Sequence, residues 1–263
     1  MDDKFLEIAI GAVVGGGDIL LQNYGKLVKS TSKESLRDVV TEIDILSEQE
    51  ILRIILSSDN KHGILTEEQG EIGSIGGSYW IVDALDGTIN YIHQFPLFSV
   101  SVAFIKNEQP VVGAVYNPLT KDLYYGLENV GCFKNQKKLS IKDYSLSHSL
   151  TAMAFSGEAY DKKNRLREFE LFGRINDLSQ GCLRTGTAAM NLAYVSSGTF
   201  GACWGKANKY WDIAPGLLFA RLSGAIVKFF VVDEKKQLVN YLAATPKCWT
   251  ELEPIINDFI QLS

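Results

Sequence analysis

The 263-residue sequence has three histidines and four cysteines, and neither set is spaced to hold a soft metal. Cys132, Cys182, Cys203 and Cys248 contain no Cys-x-x-Cys pair, which argues against structural zinc and against a disulfide framework, and reads as free thiols in a reducing compartment. Basic residues form no stripe. With a formal net charge of −5 and a pI near 5.3, the chain is not expected to bind nucleic acid or a membrane surface nonspecifically. Internal repeats, low-complexity runs and flexible linkers are also missing. Residues 5–21 are partly apolar, but Glu7, Asp18 and the central Gly15, Gly16 and Gly17 fit neither a secretory signal nor a membrane span, so a cytoplasmic protein is expected.

What is present suffices for a substantial core. Hydrophobic residues are 46% of the chain, and the length fits one large domain or two intimately packed halves. Phe5, Ile8, Ala9, Ala12, Val13, Ile19, Leu20 and Tyr24 recur at helical spacing and predict an amphipathic helix over residues 3–24. A second helix over 45–56 presents Ile51, Leu52, Ile55 and Leu56, with Thr41 or Asp44 as its cap. Residues 64–66 read as a short strand ending in Glu67 and Glu68. Strands over 100–105, 111–116, 123–127 and 132–133, punctuated by Asn107, Asn117-Pro118 and Gly131, form an antiparallel meander. The polar segment 140–150 divides the chain into halves, 1–145 and 146–263. The second half alternates strand and helix over 152–155, 165–178, 182–183, 186–197 and 200–204, an α/β pattern. Because Pro215 belongs in a first turn, a helix is expected to start within 210–216 with Asp212 at its N-terminus. Thr245-Pro246 opens a last helix whose Trp249, Leu252, Ile256 and Phe259 share one face.

The chain is organised around the stretch from Trp80 to His93. Residues 79–82 are apolar and read as a buried strand that delivers Asp83 at its carboxyl end. Asp86, three residues on, would face the other side of a straight strand, so the chain must bend at Ala84-Leu85 for the two carboxylates to converge. That bend frees the Leu85 carbonyl as a ligand. Gly87 permits close backbone approach, and a helix starting at Thr88 would offer a hydroxyl and amide N–H groups suited to a phosphate. Carboxylates, a carbonyl and free amides suit Mg2+ holding a phosphoryl group. Two other readings compete. Asp86-Gly87 alone is a strong hairpin signal. A nucleophilic-aspartate loop needs its acids two apart, and here they stand three apart.

Asp83-Ala84-Leu85-Asp86-Gly87-Thr88-Ile89-Asn90-Tyr91-Ile92-His93 resembles the signature of the inositol monophosphatase family, Mg2+-dependent and lithium-sensitive sugar phosphatases, with Ala84 in place of the usual proline. His93 is then a structural member of the signature. Three further segments carry the resemblance. Asp38-Val39-Val40-Thr41-Glu42-Ile43-Asp44 matches the segment whose last aspartate hydrogen-bonds the signature threonine, which implies that Asp44 and Thr88 activate the attacking water. Thr66-Glu67-Glu68 stands where the family carries Gly-Glu-Glu, which implies Glu67 as a metal-bridging and catalytic acid. Tyr210-Trp211-Asp212-Ile213-Ala214-Pro215-Gly216 with Ser223-Gly224-Ala225 resembles the second signature, in which the aspartate is a metal ligand. Read from residue types alone, Asp44 and Asp212 are equally helix caps, and Glu67-Glu68 solvated charge. Gly186-Thr187-Ala188 resembles a substrate-contacting segment, and Lys33 stands where relatives place a lysine near the site.

The resemblance implies a layered αβαβα sandwich and a ligand set of Glu67, Asp83, the Leu85 carbonyl, Asp86 and Asp212, with Gly87, Thr88 and Asp212 also near substrate. Four converging carboxylates are costly to bury unpaired, and two or three Mg2+ ions, or Mn2+, would offset them. The implied reaction is hydrolysis of a small phosphorylated metabolite by a water attacking phosphorus in line. Many relatives carry an acid shortly before the second-signature tryptophan to accept substrate hydroxyls. Residues 204–209 offer Lys206 and Lys209 instead: either a solvated loop or a contact for a second phosphate, as on NADP, fructose 1,6-bisphosphate or a 3′-phosphoadenosine nucleotide. A homodimer, and a role as a partner in a transcription complex, are further family expectations.

Overall fold

The computed structural model describes residues 2–26, 30–32, 39–156 and 162–260. Lys33 and Asp38 lie outside them. In the first half, helix α1 (Asp2–Asn23) is followed by the paired strands β1 (Ser30–Ser32) and β2 (Val39–Thr41), helix α2 (Glu42–Ser58), and strands β3 (Gly63–Thr66), β4 (Gly70–Ile72) and β5 (Ser78–Asp86). A short helix α3 (Thr88–Ile92) leads into β6 (Ser99–Lys106), β7 (Gln109–Asn117), β8 (Asp122–Leu127), β9 (Gly131–Lys134) and β10 (Lys137–Lys138). The second half runs β11 (Leu150–Ala154), α4 (Lys162–Leu178), β12 (Gly181–Leu183), α5 (Ala188–Ser196), β13 (Ala202–Lys209), α6 (Tyr210–Ser223), β14 (Ile226–Asp233), β15 (Leu238–Ala244) and α7 (Pro246–Ile260).

Two sheets result. The first has the order β10-β9-β8-β7-β6-β5-β3-β4 and is antiparallel except where β3 runs parallel to β5. The second, β12-β11-β13-β15-β14, is parallel among its first three strands and antiparallel beyond them. Side chains alternate across a strand, so each sheet buries two faces. On the first sheet Trp80, Val82, Val100 and Val102 pack against α1 and α2, while Ile81, Ala103 and Ile105 pack against α6. On the second sheet Cys203, Tyr241 and Ala243 face α5 and α6, while Trp204 and Leu242 face α4 and α7. Helices α5 and α6 are thus a filling between two sheets, and the layers read αβαβα.

The apolar stripe of α1 explains the packing of this N-terminal helix. It is long and apolar enough to cross a membrane by length and composition, yet Phe5, Ile8, Ala9, Ala12, Val13, Gly16, Gly17 and Leu20 are buried against the first sheet and α2. The fold also departs from the expected elements in several places. Strand β13 continues through Lys206 to Lys209, where a loop was one of the two readings. Pro215 is the sixth residue of α6 rather than a first-turn residue, because the helix begins at Tyr210, and the proline ring packs on Gly113, where a Cβ would come within 2.7 Å of it. Strands β14 and β15 were not anticipated at all.

Candidate metal centre and phosphate site

The signature acids converge through a β-bulge. Along β5, Asp83 pairs with Ser101 of β6 and Asp86 with Ser99, so three steps on one strand match two on its neighbour. The extra residue cancels the alternation that would otherwise send the two carboxylates to opposite faces. No proline is needed to hold it. Ser47 Oγ donates to the Ala84 carbonyl at 3.1 Å and the Leu85 N–H donates to Asp83 Oδ1 at 2.9 Å, which fixes both sides of the bend. Gly87 then takes φ 95° and ψ 36°, a left-handed conformation natural to glycine, and α3 begins at Thr88. The Asp86-Gly87 hairpin reading is thereby excluded.

Glu67 occupies the turn between β3 and β4, Asp83 lies on β5, and Asp212 is the third residue of α6. One carboxylate oxygen from each lies within 4.8 Å of the others, a grouping able to hold a cation. The first sheet and α6 are tied together here by the Ser101 hydroxyl, which donates to the Trp211 carbonyl at 2.9 Å. Like charge at this spacing is unfavourable in a partly desolvated setting. Burial, followed by the charges of Glu67, Asp212 and Asp86, holds the Asp83 carboxyl well above the usual range. Burial likewise raises Asp212, with Asp86 and Glu67 adding to it and Lys209 opposing. An oxygen-only donor set whose members resist ionising together fits a hard divalent ion, which would supply the missing positive charge.

Asp86 is buried beside this trio and has a second engagement. Its Oδ2 accepts from the Thr187 hydroxyl and from the Ala189 N–H, the latter at 2.9 Å, so it caps α5 from the opposite half of the chain. Burial moves its carboxyl up to about 6, with the Thr187 hydroxyl and the Ala189 and Ala188 N–H groups opposing. Gly186, with φ 86°, precedes the helix, Thr187 is its N-cap and Ala188 its first residue, so α5 starts two residues later than expected. Asn90 secures this loop. Its Nδ2 lies 2.7 Å from the Leu97 carbonyl and 2.8 Å from that of Thr185.

Asp44 serves two purposes at once. With Thr41 it forms a capping box on α2, where Oδ2 accepts from the Thr41 N–H at 3.0 Å and from its hydroxyl. Its Oδ1 lies 3.1 Å from Thr88 Oγ1, which also sits 3.1 Å from the Leu85 carbonyl. Burial brings the Asp44 carboxyl up to about 6 against the Thr41 hydrogen bonds. The cap and the partner of Thr88 are therefore one residue, using separate oxygens.

The two lysines part company. Lys206 follows Trp204 onto the α7 side of the second sheet, where its ammonium lies 5.2 Å from the Phe259 ring centre, so it is not brought to the carboxylates. Lys209 lies over the Trp211 ring, donates to the Lys236 carbonyl at 3.2 Å and is close enough to oppose the Asp212 shift. Ser47 and Glu48 of α2 escaped the sequence reading. Their only signal was spacing, three and four residues beyond Asp44 on the same helix face.

Fold and site together define a class: an αβαβα sandwich whose two sheets and middle helices converge on a carboxylate group able to hold a cation. The family model for the inositol monophosphatase family matches residues 1–252, and the chain belongs to that family. It is 37% identical to the fructose-1,6-bisphosphatase/inositol-1-monophosphatase of Aquifex aeolicus over 85% of this chain and 84% of that one. It is 32% identical to the Nus factor SuhB of Pasteurella multocida over 97% of this chain and 98% of the relative. The solved structure of a Thermotoga maritima IMPase superposes with a TM-score of 0.85 at 26% identity, covering both chains completely. Family membership supports a phosphatase of the metal-dependent kind.

Proposed function

We propose that the protein is a Mg2+-dependent phosphomonoesterase acting on a small phosphorylated metabolite of the inositol monophosphate type. The observation that supports it best is the grouping of Glu67, Asp83 and Asp212 oxygens within 4.8 Å, next to the strand bend that leads to Thr88, whose hydroxyl meets Asp44 of α2. Glu67, Asp83, Asp86, Asp212 and the Leu85 carbonyl would hold the ions. Bound there, Mg2+ would neutralise charge on the phosphoryl oxygens and the departing alkoxide. Thr88 Oγ1 accepts a hydrogen bond from the attacking water while donating its own proton to Asp44 Oδ1. A carboxylate raised to about 6 is matched to taking a proton near neutral pH. Gly87, Gly186, Thr187 and Ala188 border the phosphate and alcohol ends, with the Asp86 cap fixing the α5 loop.

The substrate range follows from the rim. Of the two lysines, Lys209 is the one near enough to Asp212 to meet a second phosphate, and the name of the Aquifex aeolicus relative, 37% identical, makes fructose 1,6-bisphosphate the first such substrate to try, ahead of NADP and 3′-phosphoadenosine nucleotides. Phosphate release should be measured with Mg2+ across inositol 1-phosphate, fructose 1,6-bisphosphate, NADP and 3′-phosphoadenosine 5′-phosphate, with and without lithium. Lithium-sensitive release establishes the reading; folded protein that releases phosphate from none of them removes it. The likeness to Nus factor SuhB over nearly the whole chain favours a second reading, a cytoplasmic partner of transcription complexes. Pull-downs that recover no RNA polymerase or associated factor would end it. A homodimer is proposed from family expectation and is read out by light scattering on the purified protein.

A further inference from the structure

Helix α2 offers one face to the site, and residues 44, 47 and 48 occupy it at i, i+3 and i+4. Each grips a different piece of the centre. Asp44 meets Thr88, Ser47 holds the Ala84 carbonyl at the bulge, and Glu48 reaches the turn between β3 and β4. Glu48 is wholly buried, and its Oε2 accepts the Glu68 N–H at 3.1 Å. That N–H belongs to the peptide unit that follows the Glu67 α-carbon, so the bond sets the plane from which the Glu67 side chain departs. The Gln69 N–H donates to Thr66 Oγ1 at 3.1 Å and closes the turn from within. A Glu-Glu-Gln-Gly turn at a surface would ordinarily find water for its amides. Burying a carboxylate for the purpose is unfavourable, and what offsets it comes from this same turn: the Glu68 N–H, with the Gln69 and Thr66 side chains beside it.

We propose that Glu48 is a positioning residue for the cation centre, acting through the Glu68 peptide to hold Glu67 at the spacing from Asp83 and Asp212 that a divalent ion requires. The inference rests on the reading of Glu67 as a metal ligand. Groups that orient ligands are worth about 10–100-fold in metal affinity when removed. Glu48 differs from an ordinary buried structural residue in what it should change: the metal-free fold loses little, while ion binding loses much.

The test compares Glu48→Gln with Glu48→Met. Both are neutral and similar in length and volume, but only glutamine keeps an oxygen for the Glu68 N–H. Mn2+ binding is measured by calorimetry on the full chain, with metal-free melting curves alongside and Mg2+ titrations of kcat and KM. Expected is an E48Q affinity within about threefold of the parent and an E48M affinity about 10–100-fold weaker, with a higher Mg2+ requirement for kcat and a smaller change in KM. Should E48M not fold, Glu48→Ala gives the turn room to relax and carries the same comparison. Parent-like Mn2+ affinity in the variant lacking the acceptor overturns the inference, as does equal weakening in E48Q, which would mean that charge rather than position matters. Because Mn2+ binding is read directly, absence of turnover in the parent protein would count against the phosphatase reading while leaving this comparison intact.

Discussion

Replacing Asp83 by asparagine should stabilise the metal-free protein while abolishing turnover, and the two effects have the same origin. Carboxylate oxygens of Glu67 and Asp212 lie within 4.8 Å of Asp83. At an effective dielectric of 20, each fully ionised pair at that distance repels by about 3.5 kcal/mol. Two such pairs exceed what protonation demands. Neutralising a carboxyl whose ordinary value is 3.8 requires about 4 kcal/mol at pH 7, so about 4 kcal/mol is the ceiling on the strain that Asp83 can add, whatever share of it burial and its neighbours contribute. Asparagine removes that strain and keeps a carbonyl oxygen for the Leu85 N–H. A gain of about 1–3 kcal/mol should raise the metal-free Tm by roughly 3–10 °C for a chain of this size. Mg2+ at 100 times its Kd should stabilise the parent by about 2.7 kcal/mol, and should do little for the variant. Turnover should fall at least about 10³-fold, equivalent to about 4 kcal/mol of barrier. Calorimetric melts with and without Mg2+, together with phosphate release, read all three. A variant that melts lower than the parent without metal, or that turns over at a comparable rate with Mg2+, refutes the assignment of this cluster.

The same logic fixes a pH dependence. Asp44 and Asp86 are raised to about 6 in the folded chain, so the fold binds more protons than the unfolded chain between about pH 4 and 6. Their contribution to metal-free stability is present at low pH and is lost as pH rises through 6; a metal-free Tm that climbs from pH 5 to 7 would contradict this. Thr88→Ala removes the link to Asp44 and should lower kcat by about 10²–10⁴-fold with little change in Mn2+ affinity, which separates it from the ligand variants. Lys209→Ala should reduce fructose 1,6-bisphosphate turnover relative to inositol 1-phosphate, whereas Lys206→Ala, on the α7 side, should leave the ratio unchanged; the opposite pattern would reverse the assignment of the rim. Gly113→Ala should destabilise by about 1–3 kcal/mol in a urea melt, because the new Cβ would stand 2.7 Å from Pro215.

Local chemistry was legible in the chain itself. The capping pattern at Thr41 and Asp44, the apolar period of α1, the meander after Ser99 and the run ending at Asp83 each follow from neighbours within a few residues, and those elements stand where spacing placed them. The expectation of a hard cation was also drawn from the chain, since its candidate donors are all oxygens. Strands β14 and β15 escaped because their pairing is with each other and with β13, contacts that no short window contains.

What only the tertiary structure decided is where side chains that share no local neighbourhood meet. The bulge that brings Asp83 and Asp86 to one face is defined by register against β6, not by residues 83–86 alone. The parting of Lys206 from Lys209 is set where the register of β13 against β15 shifts between Gly205 and Asn208, a pairing between strands about thirty residues apart. Asp86 capping α5, Ser101 holding Trp211, and Glu48 holding the turn of Glu67 join residues 103, 110 and 20 positions apart. The sequence by itself determined the local elements that carry the candidate donors, because propensity and periodicity act along the chain; the choice of those donors came from the family resemblance. Convergence of those donors was decided by packing two sheets across α5 and α6, because only that packing sets distances between segments the chain keeps apart.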